Sequence, residues 1–351
     1  MRLLTPLTLK QGLPIMKTAK RPARSKPAMN GPEDGQPIVV PMADQTAFEA
    51  ATALIAHFIS LARQTEAGIV ADRNLEFLHE YRVALRKIRS VLSLFRGTYE
   101  SARTANLKAR FAAIVAATGP VRDLDVYLLE KPTFYALVPK PLHPGLDAMF
   151  ATLAQDRQAA WVKLVRYLGS RAYLQDMTDL GAVFADRALL ARGPQADLAA
   201  DDFATTLIWK RYRKMRKIAC AIGPNSDASA VHALRIQGKK LRYLIEFFAP
   251  LFAAAKVKPL LKPLKALQDH LGKVNDCAVQ QVTLQRFLTE AGTAPQGANL
   301  ALAQSVAALS GALHQRQHKE RAKTVKVIAR FSKTSTQDAF RDLFHPRKKT
   351  F

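Results

Sequence analysis

The chain has 351 residues, enough to bury a substantial core, and 48% of them are hydrophobic, which excludes wholesale disorder. Lys and Arg total 53 against 28 acidic residues, a formal net charge of +25, so the natural partners are polyanions: nucleic acid, an anionic membrane surface or chains of phosphate. Two cysteines, Cys220 and Cys277, exclude a disulfide framework and a four-ligand metal cluster, and both are expected to be reduced, buried residues of an intracellular, cytoplasmic protein.

Residues 1–43 read as a flexible basic tail, rich in Pro, Lys and Arg ("KTAKRPARSKPAMNGPEDGQP") and without periodicity. Apolar residues then recur three and four apart almost throughout, so the chain is expected to be all-α. The first helix is expected from Asp44, as N-cap, to Gly68, followed by helices at 72–98, 103–118 and 121–130. A Pro/Gly loop, "KPTFYALVPKPLHPG", separates these from a helix at 146–169. A helical stretch at 171–191 lies in a connector spanning 171–200, and helices at 201–220, 227–249, 256–271, 274–291 and 298–331 follow. Residues 336–351 read as a basic C-terminal tail. No run approaches the ~18–20 apolar residues that a membrane-crossing helix needs.

Much of the second half repeats the first at one ungapped offset of 153 residues. "HEYRVALRKIRSVLSLF" (79–95) aligns with "HALRIQGKKLRYLIEFF" (232–248), and "ATALI" (51–55) with "ATTLI" (204–208). "GPVRDLDV" (119–126) aligns with "GKVNDCAV" (272–279), and one offset serving three separated segments implies two homologous helical halves, 44–170 and 201–335. Each half offers enough helices to close a four-helix bundle, and the pair is expected to be related by pseudo-twofold symmetry.

The repeated segment carries a row of cations. On a helix turning about 100° per residue, His79, Arg82, Arg86 and Arg89 share a sector roughly 80° wide, beside an apolar flank of Leu85, Ile88, Leu92 and Phe95. His232, Arg235, Lys239 and Arg242 reproduce that sector, with Lys240 off it, as Lys87 is in the first half. In "WKRYRKMRK", Lys210, Arg213, Lys214 and Lys217 fall on one side of another helix, whereas its first-half counterpart is nearly neutral. Acidic residues three or four positions away, which would support a surface helix, are scarce along the rows. Such rows make sense if a polyanion neutralises them, and the arginine fork grips two phosphate oxygens at once. A merely solvated charged face is the alternative for either row taken alone.

His79 and His232 head the rows and either bond phosphate or bond a carbonyl or helix end. Together with Asp123, Asp125, Asp269, His270 and Asp276 they offer metal-ligand chemistry, but the surrounding cations oppose a metal ion. Gly119 and Gly272 read as sharp turns into new helices, placing Asp123 and Asp276 in first turns, where they support the arginines. No phosphate loop, nucleophile elbow or other catalytic motif is present.

Taken together, "LHEYRVALRKIRSVLSLF", "TGPVRDLDVYL", "VHALRIQGKKLRYLIEFF" and "LQDHLGKVNDCAV" resemble the signature segments of the CHAD domain, the conserved histidine α-helical domain, over about residues 44–335. The resemblance implies two four-helix bundles with a basic central cavity or pore that binds inorganic polyphosphate without catalysis or cofactor, in some members at polyphosphate granules. Carried over by position, the ligand residues are His79, Arg82, Arg86, Arg89, His232, Arg235, Lys239 and Arg242, with Lys240 and the Lys210–Lys217 row beside them. Ala278 stands where the first half has Asp125, so the two halves are not expected to act identically. A sequence-nonspecific nucleic-acid binder, with Tyr81, Tyr212 and Tyr243 near the rows, and a metal-dependent phosphohydrolase are the competing expectations.

Overall fold

The computed structural model describes residues 44–223, 226–293 and 300–346; the expected tail 1–43 and the last residues of the C-terminal tail lie outside them. Among the described residues there are eleven α-helices and no β-strand. They are α1 (Ala47–Val70), α2 (Leu75–Leu94), α3 (Ser101–Ala117), α4 (Gly119–Leu137), α5 (His143–Leu168) and α6 (Arg171–Ala185). After them come α7 (Ala200–Cys220), α8 (Ala228–Phe248), α9 (Ala254–Thr293), α10 (Leu300–Phe331) and α11 (Thr334–Phe344).

Local chemistry explains the starts. Thr46, not Asp44, caps α1 in a reciprocal box with Glu49, and the helix runs past Gly68 because that glycine lies flat against Phe77. Asn74 caps α2, Glu100 caps α3 and Ser170 caps α6, each accepting backbone N–H groups of its first turn. Pro120 and Pro144 open α4 and α5 in first turns, where the missing N–H is not needed.

Three boundaries differ from expectation. First, α4 continues through Pro132 to Leu137, because Phe134 is fully buried among Tyr127 and Phe150; the expected loop begins only after it. A proline inside a helix costs about 3 kcal/mol, which burial of a large aromatic offsets in good part. Second, the helices expected at 256–271 and 274–291 are one, α9, with Gly272 in its interior rather than at a turn. Asp276 therefore lies mid-helix, and Asp123 is the fifth residue of α4, so neither occupies a first turn. Third, residues assigned to the C-terminal tail form α11, whose Phe340 stacks on Tyr212 with ring centroids 4.0 Å apart.

The two sequence halves share their apolar interior. One large cluster draws on all eleven helices, and a second joins α4 and α5 of the first half to α9 and α10 of the second. The stretch read as a connector is part of this interior, since Tyr173, Met177, Leu180 and Phe184 of α6 are buried in the large cluster. Phe95 and Phe248, which occupy matched positions in the repeat, stack with centroids 4.8 Å apart and planes at 9°. That contact brings the ends of α2 and α8 together and sets the place of the cationic rows.

Candidate functional site

Burial of Leu85, Ile88, Leu92 and Phe95 fixes the rotation of α2, so His79, Arg82, Arg86 and Arg89 fall on its half-buried flank. Leu234, Leu241, Leu244 and Phe248 do the same for α8, leaving Arg235, Lys239 and Arg242 half-buried and His232 exposed at its start. The rows lie within electrostatic reach of each other across the halves. Lys239 of α8 is pushed down to about 8 by its burial, then by Arg235, by Arg86 of α2, and by Arg242. Arg86 and Lys239 are themselves matched positions of the repeat, so the row of one half turns toward the row of the other.

A cation missed from the sequence joins them. Arg122 of α4 is half-buried, and it and Arg86 each disfavour the charge on Arg82, which burial already lowers; Asp123 pulls Arg82 the other way. Arg122 stood inside the quoted "GPVRDLDV", but its direction depends on how α4 crosses α2. Among the described residues no ion pair of Arg86, Arg89, Arg122 or Lys239 is present. Arg242 is the exception, 3.6 Å from the buried carboxylate of Glu246, and Arg235 reaches the exposed Asp276 at 4.0 Å.

The two halves hold their arginines differently. Arg82 donates to the Val115 carbonyl at 2.9 Å and to Thr118 Oγ1 at 2.6 Å. Asp125, with no exposed surface, accepts from Arg157 at 2.8 Å, and Arg157 also grips Asp72 with its two terminal nitrogens at 2.7 and 2.6 Å. Burial pushes the Asp125 carboxyl up, against the pull of Arg157 and Arg122. His232 Nδ1 donates to Asn275 Oδ1 at 3.0 Å, leaving Nε2 as the nitrogen available to a ligand.

Lys210, Arg213, Lys214 and Lys217 are all exposed on α7, and only Lys214 joins a cluster. Burial, Arg211, Lys214 and Arg96 lower Lys240, while burial and Arg96 lower Arg211 and Lys108. Arg96, Lys108 and Arg211 were not singled out from the sequence. Lys87 is buried with its ammonium 5.5 Å from the centre of the Phe58 ring. Cys277 is buried as expected, whereas Cys220 is exposed at the end of α7.

Two clefts flank the rows, and neither is lined by both. The larger, about 690 Å³, lies between α4, α5 and α9 and holds Asp123, Tyr127 and the Asp156–Arg286 ion pair at 3.1 Å. The smaller, about 400 Å³, lies against the start of α8 and holds His232 and Arg235.

The family model for the CHAD domain matches residues 52–285, which takes in both cationic rows and both glycine segments. The chain belongs to the CHAD domain family. The crystal structure of the CHAD domain from the plant Ricinus communis superposes with a TM-score of 0.70 at 25% identity, covering 86% of this chain and 96% of that one. PptA from Streptomyces chartreusis shares the fold with a TM-score of 0.62 at 13% identity, over 81% of this chain and 99% of its own. No curated protein sequence matches. The CHAD fold of this chain contains no helix, among the described residues, that is long and apolar enough to cross a membrane. Nor do three His, Cys, Asp or Glu side chains converge in metal-ligand geometry among the described residues.

Proposed function

We propose that this CHAD domain binds inorganic polyphosphate between the cationic flanks of α2 and α8, holding it without breaking it. The observation that carries this is the approach of Arg86 and Lys239 from opposite halves, with no carboxylate paired to either among the described residues. Like charges brought together out of water cost folding free energy, and a structure retains that cost where an anion offsets it. Arg82, Arg89, Arg122, Arg235 and Arg242 extend the row on either side, so successive phosphates meet successive forks. Membership of a family whose members bind polyphosphate supports the same ligand, and association with polyphosphate granules would follow from it.

Nucleic acid is the alternative polyanion. Single strands are held largely by stacking of bases on aromatic faces. Tyr81 and Tyr212 are almost wholly buried and Tyr243 nearly so, so none of these three tyrosines offers a stacking platform. A competition titration decides between the two: polyphosphate displaces labelled single-stranded DNA at about a tenfold lower phosphate concentration or less. Equal displacement per charge would reduce the interaction to generic basicity. Release of phosphate from polyphosphate with added divalent metal would contradict the non-catalytic role.

A further inference from the structure

The first-half arginine is tied down by two short hydrogen bonds, whereas its second-half counterpart has only a 4.0 Å ion pair to the exposed Asp276. Arg82 is tied to Val115 and Thr118, and the nearby space is filled by Asp125 with Arg157. At the same offset, Leu271 replaces Thr118, Ala278 replaces Asp125, Ser229 replaces Glu76 and Asn275 replaces Arg122. Each exchange removes a charge or an acceptor. What remains is the cleft of about 400 Å³, in which the buried Nε of Arg235 has no hydrogen-bond partner.

Donors converge on this cleft from three helices. Arg235, His232 and Ser229 come from α8, Asn275 from α9, and Gln317 and Arg321 from α10. Arg321 is held at the cleft by donating to the Ser226 carbonyl, which leaves other N–H groups of its fork free to donate. Leu271, Val274 and Ile236 form apolar walls, which strengthen any charge-assisted hydrogen bond made between them.

A row of forks along a helix suits the inner phosphates of a chain, each with two free oxygens. A terminal phosphate has three, gains a second negative charge near neutral pH, and calls for donors from several directions. We propose that the cleft at the start of α8 is an end site adjoining the row through Arg235 and takes a terminal phosphate group, where Arg235 and Arg321 clamp its oxygens and His232 Nε2 donates to it once protonated. This rests on the polyphosphate reading above and adds to it that the second half holds a chain end while the shared rows hold the interior. The same chemistry would suit free phosphate.

Calorimetric titration of the full chain with linear triphosphate and with cyclic tetrametaphosphate, a ring without ends, tests the site. The linear ligand should bind about tenfold tighter or more. The preference should vanish in Arg321→Gln and in Ala278→Asp, which restores the first-half carboxylate, while affinity for long chains stays within about threefold. Two variants are used because loss of the Ser226 contact alone could loosen the entry to α8; thermal melts identify a variant that has merely lost its fold. Equal binding of ring and linear ligand by the wild type overturns the end site even if long chains bind. Failure of long chains to bind, with the linear preference intact, overturns the polyphosphate reading and leaves the cleft standing. Orthophosphate binding as tightly as the triphosphate assigns the cleft to the free ion; much weaker binding assigns it to a chain end.

Discussion

Lys239 concentrates the logic of the site. Burial and the arginines around it hold its folded pKa at about 8, below the ordinary lysine range. A group that binds its proton less readily when folded makes stability rise with pH between the folded and unfolded values, so the penalty is complete below about 8. Two outcomes follow. Lys239→Met should raise the melting temperature at neutral pH by roughly 1–3 °C while weakening polyphosphate binding, a combination that a simple structural lysine would not give. Polyphosphate should also draw a proton onto Lys239 above pH 8, seen as calorimetric heats that depend on the ionisation enthalpy of the buffer; buffer-independent heats would contradict this. The row positions were legible in the sequence because a helix converts spacing into direction. The approach of Arg86 to Lys239 and the contribution of Arg122 were not, since each depends on how helices cross, whereas the Arg242–Glu246 pair lies four residues apart on α8 and was open to reading from spacing alone.

At the scale of elements, the sequence marked glycine and proline as stops, and packing overrode several of them. Gly272 is the clearest case: a helical glycine costs about 1 kcal/mol relative to alanine, whereas Leu271 and Val274 beside it are buried in the core. A Cβ at Gly272 would meet nothing within 4 Å. Gly272→Ala should therefore stabilise the protein by about 0.5–1 kcal/mol in urea unfolding. A loss of stability would mean that the chain turns there after all. Pro132 in α4 and the late α11 teach the same lesson, because Phe134 and Phe340 find their partners only in the folded molecule. The periodicity within α2 and α8 was read correctly since their apolar flanks agree with local propensity.

For the whole molecule, the excess of 25 positive charges is spread unevenly. Part is exposed on α7, part is drawn into the cluster of Arg96, Lys108, Arg211 and Lys240, and part faces inward between α2 and α8. The last two each draw on both sequence halves, and a polyanion held between α2 and α8 should bind with strong salt dependence because each neutralised phosphate releases counterions. The repeat was visible as a sequence offset, but an interior common to both halves was not, since periodicity shows which face is apolar and not which helix covers it. The most direct test is a double-mutant cycle on polyphosphate affinity with Arg86→Gln, Lys239→Gln and the pair. One shared site predicts that each single change weakens binding by about tenfold and that the double change departs from additivity by about 0.5 kcal/mol or more. Strictly additive losses, or unchanged affinity in either single variant, would contradict a site built from both halves.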